Sequence, residues 1–275
     1  MRIYWNRGSL IEMINYPFQN HSITKSQPPR CVVLAAGAST RLRPLTDSKP
    51  KCLLQIGGKA LLERTIENVL DAGIKEIGIV IGYRGEMIQE FVIRHFPQVR
   101  ISFILNPDYT ETNNAYSLLL ARSFLENKEG NVCFSLILLD SDILFSSKLL
   151  PLLLNYPLQD CVAVRMSGEY DEEEIRVKAN SYGNIALIGK ETPLDETSGE
   201  SIGIEVFSVE TTARLFSILE QRMRSGAGRT EFYEASFQEL IDHGTRLRAI
   251  DISAFPAIEI DTTEDLQLAE RMNIV

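Results

Sequence analysis

From residue 31 to residue 139, short apolar runs alternate with stretches of helical period. Residues 31–36, 77–82, 101–106 and 133–139 read as strands, and residues 60–72, 85–95 and 114–126 as helices. Leu62, Ile66, Val69 and Leu70 recur on one helical face, and Gly73 stops the pattern. A β-α-β-α rhythm of this kind implies parallel strands with helices on both faces of the sheet. The expected class is therefore α/β, a Rossmann-like, doubly wound sheet. Ligands in such sheets bind outside the carboxyl ends of the strands. The small-residue loop after residue 36, Gly82, Asn113-Asn114 and the pair Asp140 and Asp142 all follow strand ends, so they can converge.

The second half is mixed. Short runs at 161–166, 175–178 and 184–188 predict a small antiparallel β insertion, and 202–207 returns to the main sheet. Helices at 209–222 and 231–242, a strand at 247–252 and a helix at 264–272 complete the pattern. With 44% hydrophobic and 24% charged residues, the chain suits one globular domain over 29–275. Residues 1–28 read as an N-terminal extension. They show no apolar core of a signal peptide, and no 18-residue apolar span occurs in the sequence. The expectation is a protein without a membrane partner. The formal charge of −9 argues against nucleic acid, which asks for a basic face. Cys31, Cys52, Cys133 and Cys161 have no C-x-x-C spacing, so reduced thiols and a cytoplasmic location are expected.

The chemistry concentrates after the first strand. Ala35, Ala36, Gly37, Ala38 and Ser39 let the backbone approach a ligand closely, with N–H groups free to meet phosphate oxygens. Leu34 and Thr40 flank this stretch, and Arg41 and Lys51 add two cations to the same loop. Strand, small-residue loop and cations together suit a triphosphate cradle; the plainer alternative is a surface loop with solvated cations. No G-K-[ST] closes the loop, so it is not a P-loop, nor does it match the dinucleotide fingerprint. Asp142, at the end of the apolar run 134–139, can supply oxygen to Mg²⁺, although Asp pairs also form simple turns. Asn113 and Asn114 offer both donors and acceptors to a base or ribose, and Asn113 also suits a helix N-cap.

The stretch Gly37-Ala38-Ser39-Thr40-Arg41 with Pro50-Lys51 resembles the signature of nucleoside-diphosphate-sugar pyrophosphorylases and related cytidylyltransferases. Ser39 stands where that signature has its second glycine, a swap tolerated if φ stays negative. Asn113-Asn114-Ala115-Tyr116-Ser117-Leu118 is similar to a segment of the cytidylyltransferases for phosphocholine, inositol phosphate and aminoethylphosphonate. Glu259-Ile260-Asp261-Thr262 resembles the family's late acidic segment. Thr262 or Thr263 before Glu264-Asp265 also suits a helix N-terminus.

The resemblance implies a sheet of the nucleotide-diphospho-sugar transferase type, mixed but mainly parallel. It implies Mg²⁺ on Asp142 and Asp261, and Arg41 and Lys51 as catalytic cations. The implied nucleotide contacts are residues 34–40, Gly82, Asn113 and Asn114. Acceptor contacts are implied at Lys190, Glu200, Tyr233 and Glu234, in a subregion of about 160–246. The implied reaction passes CMP from CTP to a small phosphorylated alcohol or phosphonate and releases pyrophosphate; a homodimer is left open. A sugar-1-phosphate transferase using UTP or dTTP, and a non-catalytic nucleotide-sensing relative, are the alternatives. In the loop comparable to the one where phosphocholine enzymes supply aromatic rings for the trimethylammonium, this chain has Glu169-Tyr170-Asp171-Glu172-Glu173-Glu174, acids around a single ring.

Overall fold

The computed structural model describes residues 27–275 except 157–159, 169, 171, 273 and 275, and the side chain of residue 227. The expected N-terminal extension lies outside the described residues up to residue 26. Among the described residues, no helix is long and apolar enough to cross a membrane.

The first strand, β1 (Arg30–Ala35), is apolar because both its faces are covered. Cys31, Val33 and Ala35 enter one buried cluster, and Val32 and Leu34 the other, the period of two that a strand imposes. A hairpin of β2 (Gln55–Ile56) and β3 (Lys59–Ala60) precedes α1 (Leu61–Asp71), β4 (Glu76–Ile81), α2 (Gly85–His95) and β5 (Arg100–Leu105). Next come α3 (Asn114–Leu120), α4 (Arg122–Leu125), β6 (Leu136–Asp140), β7 (Ile143–Phe145) and α5 (Leu149–Leu154). Strands β8 (Cys161–Arg165), β9 (Arg176–Ala179), β10 (Ile185–Gly189) and β11 (Gly199–Phe207) lead to α6 (Val209–Ser225) and α7 (Glu234–Asp242). The chain closes through β12 (Arg248–Asp251), β13 (Ala257–Glu259) and α8 (Thr263–Arg271).

The main sheet runs β10-β9-β11-β6-β1-β4-β5, with β8 between β11 and β12. Strands β6, β1, β4 and β5 are parallel; β11 runs antiparallel to β6, β8 and β9. Helices α1, α2 and α5 pack on one face, while α3, α4, α6 and α7 pack on the other. The fold is thus a doubly wound α/β sheet, as the periodicity predicts, and mixed but mainly parallel, as the resemblance implies. Each fully buried Leu or Ile contributes ~1.5–3 kcal/mol, so these two apolar layers hold the strand ends in place.

Register then sets the site. Leu34 lies opposite Asp140 on β6, and Ala35 opposite Ile81 on β4, so three polar loops leave the sheet side by side. Two glycines permit their close packing. A Cβ on Gly82 would sit 2.7 Å from the Ala36 carbonyl oxygen. Gly203, at φ +69°, lies where β11 bulges, and a Cβ there would meet Asp140 Oδ2 at 2.6 Å.

Three features depart from the sequence expectation. The helix expected over 114–126 divides at Ala121 into α3 and α4. Helix α5 escapes periodicity because it is almost wholly apolar; its Pro151 sits in the first turn, where no N–H partner is required. The pair β7–β13 is antiparallel, three residues a side, and joins distant segments, so local alternation carries no trace of it.

Candidate active site

The loop after β1 folds back as two 3-10 turns, Thr40–Leu42 and Lys51–Leu53. Ser39 does not keep the negative φ expected for it. It lies in the left-handed region at φ 48°, ψ 56°, the conformation a glycine would take without strain. The Thr46 hydroxyl donates to the Ser39 carbonyl at 2.9 Å and closes the loop on itself. The turn after β4 braces it from outside. The Tyr83 N–H donates to Ala36 O at 3.0 Å, and the Tyr83 hydroxyl donates to Thr46 O at 2.9 Å and Asp47 O at 3.1 Å. Arg84 Nη2 adds a bond to Asp47 O at 2.6 Å.

At the centre lies Lys51, whose side chain is 7% exposed. Its Nζ donates to Asp142 Oδ2 at 2.8 Å and to Asp261 Oδ1 at 2.6 Å. Arg41 Nη2 reaches Asp261 Oδ2 at 2.7 Å. Burial disfavours the charge on Lys51, but Asp142 and Asp261 outweigh it and raise the pKa above the usual lysine range. Burial likewise works against ionised Asp261, yet Lys51 and Arg41 hold its carboxyl below the ordinary value. The two aspartates meet because β7 pairs with β13 and the Ile260 N–H donates to Asp142 O at 3.0 Å. The cap of α8 then steadies Asp261. Thr262 accepts from the Asp265 N–H at 3.2 Å, and Asp265 Oδ2 accepts from the Asp261 N–H at 3.0 Å.

Sequence reasoning did not place Glu259 in the site. A carboxylate oxygen of Glu259 lies with those of Asp142 and Asp261 inside 4.8 Å of one another. Asp142 Oδ1 is buried without a hydrogen-bond partner among the described residues. Three carboxylates with one unengaged oxygen fit a hard divalent cation. The acidic segment 259–261 already contained the signal, in a carboxylate only two residues before Asp261. Asp140 points elsewhere. It accepts from the Tyr233 hydroxyl at 2.8 Å, and burial, with Asp142 and Glu234 nearby, raises its pKa.

A cleft of about 790 Å³ opens over this centre, at the carboxyl ends of the parallel strands. It is lined by residues 34–37, Ser39, Arg41, Lys51, Asn113, Asn114, Asp142, Lys190, Glu200, Glu234 and Asp261. Ala38, Thr40, Gly82 and Tyr233, also singled out from sequence, are not on its wall. Gly82 serves the close packing described above. Tyr233 is fully buried behind the wall, and its ring lies tilted against Phe237 with centroids 5.0 Å apart.

The two asparagines have structural partners as well as a place on the wall. Asn113 caps α3 by accepting from the Asn114 N–H at 2.8 Å, and Asn114 Oδ1 accepts from the Tyr233 N–H at 2.9 Å. On the opposite wall, Lys190 pairs with Glu173 at 3.0 Å and lies 5.2 Å from the Phe232 ring centroid. Glu200 is paired with Arg165, a partner that sequence reasoning missed. Glu234 is 4% exposed, and burial pushes its pKa up to about 7.

Residues 30–167 match the family described as Nucleotidyl transferase. The chain is 32% identical over 258 residues to the CMP-5'-(3-aminopropyl)phosphonate synthase of Streptomyces rubellomurinus, a match covering 88% of this chain and 38% of that protein. It is 26% identical over 256 residues to the CTP:phosphoglutamine cytidylyltransferase of Campylobacter jejuni, covering 86% and 97% respectively. The chain therefore spans well under half of the first relative and nearly all of the second. The solved CTP:phosphocholine cytidylyltransferase of Streptococcus pneumoniae superposes with a TM-score of 0.69 at 24% identity, over 90% of this chain and 99% of that one. At that identity, the likeness speaks for the fold.

Proposed function

The chain belongs to the nucleotidyl transferase family, and on that premise we propose that it is a cytidylyltransferase. It takes CTP, passes CMP to a small phosphorylated alcohol or phosphonate, and releases pyrophosphate. One observation carries the reading: a buried lysine clamped between two carboxylates at the floor of the cleft, with Arg41 beside it. The names of the Streptomyces and Campylobacter relatives favour CTP as the donor.

Nucleotidyl transfer asks a protein mainly for in-line positioning and charge stabilisation. An oxygen of the acceptor phosphate or phosphonate attacks the α-phosphorus of CTP. The new O–P bond forms as the bond to the β-phosphate oxygen breaks, and pyrophosphate departs with that electron pair. Lys51 stands between acceptor and α-phosphate and offsets the repulsion of two anions. Arg41, on the more exposed side, holds the β- and γ-phosphates and steadies the leaving group. The acceptor is already ionised near neutral pH, so no general base is required. Asp142 and Asp261, with Glu259 beside them, would hold Mg²⁺, which supplies Lewis-acid neutralisation of α-phosphate charge. The amides of Asn113 and Asn114 contact base or ribose. Residues 29–275 act as one domain, with the acceptor side within about 160–246. All four cysteines are free thiols, in keeping with a cytoplasmic location.

The test is a nucleotide panel read by pyrophosphate release with an aminoalkyl phosphonate as acceptor. CTP should exceed UTP, dTTP, ATP and GTP, because a site that reads the pyrimidine edge leaves a group unpaired with the wrong base, at ~1–3 kcal/mol. Equal kcat/KM for CTP and UTP would overturn the cytidylyltransferase reading. A preference for UTP or dTTP with a sugar 1-phosphate would replace it.

A further inference from the structure

We propose that the chain forms a two-fold dimer through β5, whose free edge pairs antiparallel with β5 of a second copy to make one continuous sheet. β5 ends the main sheet beyond β4, and among the described residues its outer backbone groups have no hydrogen-bond partner. A row of unpaired N–H and C=O groups is a template for another strand, and proteins that keep such an edge free blunt it with charge, proline or a bulge. Ile101-Ser102-Phe103-Ile104-Leu105 carries no charge and no proline, and its register with β4 runs unbroken. The far end of the sheet shows the contrast. There β10 is bulged against β9, and the Gln238 side chain closes its edge, accepting from the Ile188 N–H at 2.9 Å and donating to Ala186 O at 3.3 Å.

The chain itself supplies the fitting partner. A two-fold axis perpendicular to the sheet sets side chains of the same face opposite each other, so it passes through a residue and not between two. Centred on Phe103 it engages the whole strand: Phe103 meets its own copy, and Ile101 lies opposite the partner's Leu105. Ile101 and Phe103 pack on the apolar layer that α2 covers, whereas Leu105, next on that side of the strand, is 61% exposed. The second copy covers it. A specific interface buries ~1,200–2,000 Å² in total, more than one strand edge supplies, and α2 extends the contact. Phe91 of α2 packs on the same layer as Ile101 and Phe103, and Ile93 is 64% exposed. Glu86 and Glu90 stand in the first half of α2, and Arg94 and His95 at its end, all exposed. The axis runs the two α2 helices in opposite directions, so each acidic start faces a basic end. The two clefts then open at opposite ends of the joined sheet, and each copy keeps its own site.

The test is sedimentation velocity of the full chain across micromolar concentrations. The wild type should sediment at twice the chain mass. Leu105→Lys and Ser102→Lys, at two exposed edge positions, should each raise the Kd of self-association at least ~10-fold, about 1.4 kcal/mol, with far-ultraviolet circular dichroism unchanged. Tyr182→Lys, 77% exposed in the turn after β9, should leave the dimer intact. Amide hydrogen exchange over 101–105 should slow as the dimer forms. A wild type that stays monomeric throughout overturns the proposal. A dimer that tolerates both edge lysines overturns it too, because its interface then lies elsewhere. So does a chain that dimerises only once residues 1–28 are removed, because the edge is then covered from within.

Discussion

Lys51 sits 2.8 Å from Asp142 and 2.6 Å from Asp261, so its ammonium stays charged despite burial, as the catalytic role proposed for it requires. Lys51→Ala should lower kcat by at least ~10²-fold, the scale of losing a preorganised transition-state contact. A rise in KM with kcat intact would make it a binding contact only. Ser39 offers a prediction of stability. A left-handed L-residue costs ~1–2 kcal/mol, of which glycine's greater unfolded-state entropy returns ~0.5–1. Ser39→Gly should therefore raise Tm by ~1–4 °C, and a lower Tm would show that the serine side chain contributes more than the strain. Glu234 gives a pH dependence. The folded chain holds this carboxyl up to about 7, whereas the unfolded chain ionises it near the ordinary value of 4.5. Between these values the native state keeps a proton that the unfolded state has lost, so stability falls as pH rises through the window and then levels. In urea melts compared at about pH 5 and about pH 8, Glu234→Gln should lose less stability than the wild type. Equal losses would place the titration on other groups.

The signature loop is an element held from outside. Tyr83 and Arg84 lie in the turn after β4, and their bonds to Thr46 and Asp47 fix the far half of the loop that carries Arg41 and Lys51. Tyr83→Phe removes the single hydroxyl proton shared between the Thr46 and Asp47 carbonyls, a contact worth ~1 kcal/mol net. It should lower kcat/KM for CTP by ~10-fold with only a small fall in Tm; unchanged kinetics would free the loop from this brace. Sequence alone exposed the loop, because strand, small residues and cations are contiguous there. Asp142 reads as an acid at a strand end, and Asp261 follows from the resemblance of its segment. Sequence could not reveal that β7 and β13 pair, since three-residue strands from distant segments leave no periodic pattern. Glu259 therefore carries no sequence assignment, and Tyr233, expected at the acceptor, lies buried behind the wall with its hydroxyl on Asp140. Side-chain direction on a packed helix start depends on neighbours that no local pattern records.

Across the whole molecule, the parallel half of the sheet brings the cradle, Asp140 and Asp142 to one edge, while β11 and its antiparallel neighbours supply the facing wall. The rhythm of apolar runs made the first half legible. The second half was legible in its elements but not in its order, because β11 threads between β6 and both β8 and β9. All the described site residues lie after β1 begins, so a chain starting at Pro29 should fold and turn over near the full-length rate. Loss of folding would contradict the single domain proposed for 29–275. The most direct measurement follows the α-phosphorus. With CTP labelled there, an aminoalkyl phosphonate and Mg²⁺, the label should appear in a new phosphoanhydride joined to the acceptor, with unlabelled pyrophosphate in equal amount, and EDTA should abolish both. Label that stays in CTP, or that is released only as free CMP, would contradict nucleotidyl transfer by this site.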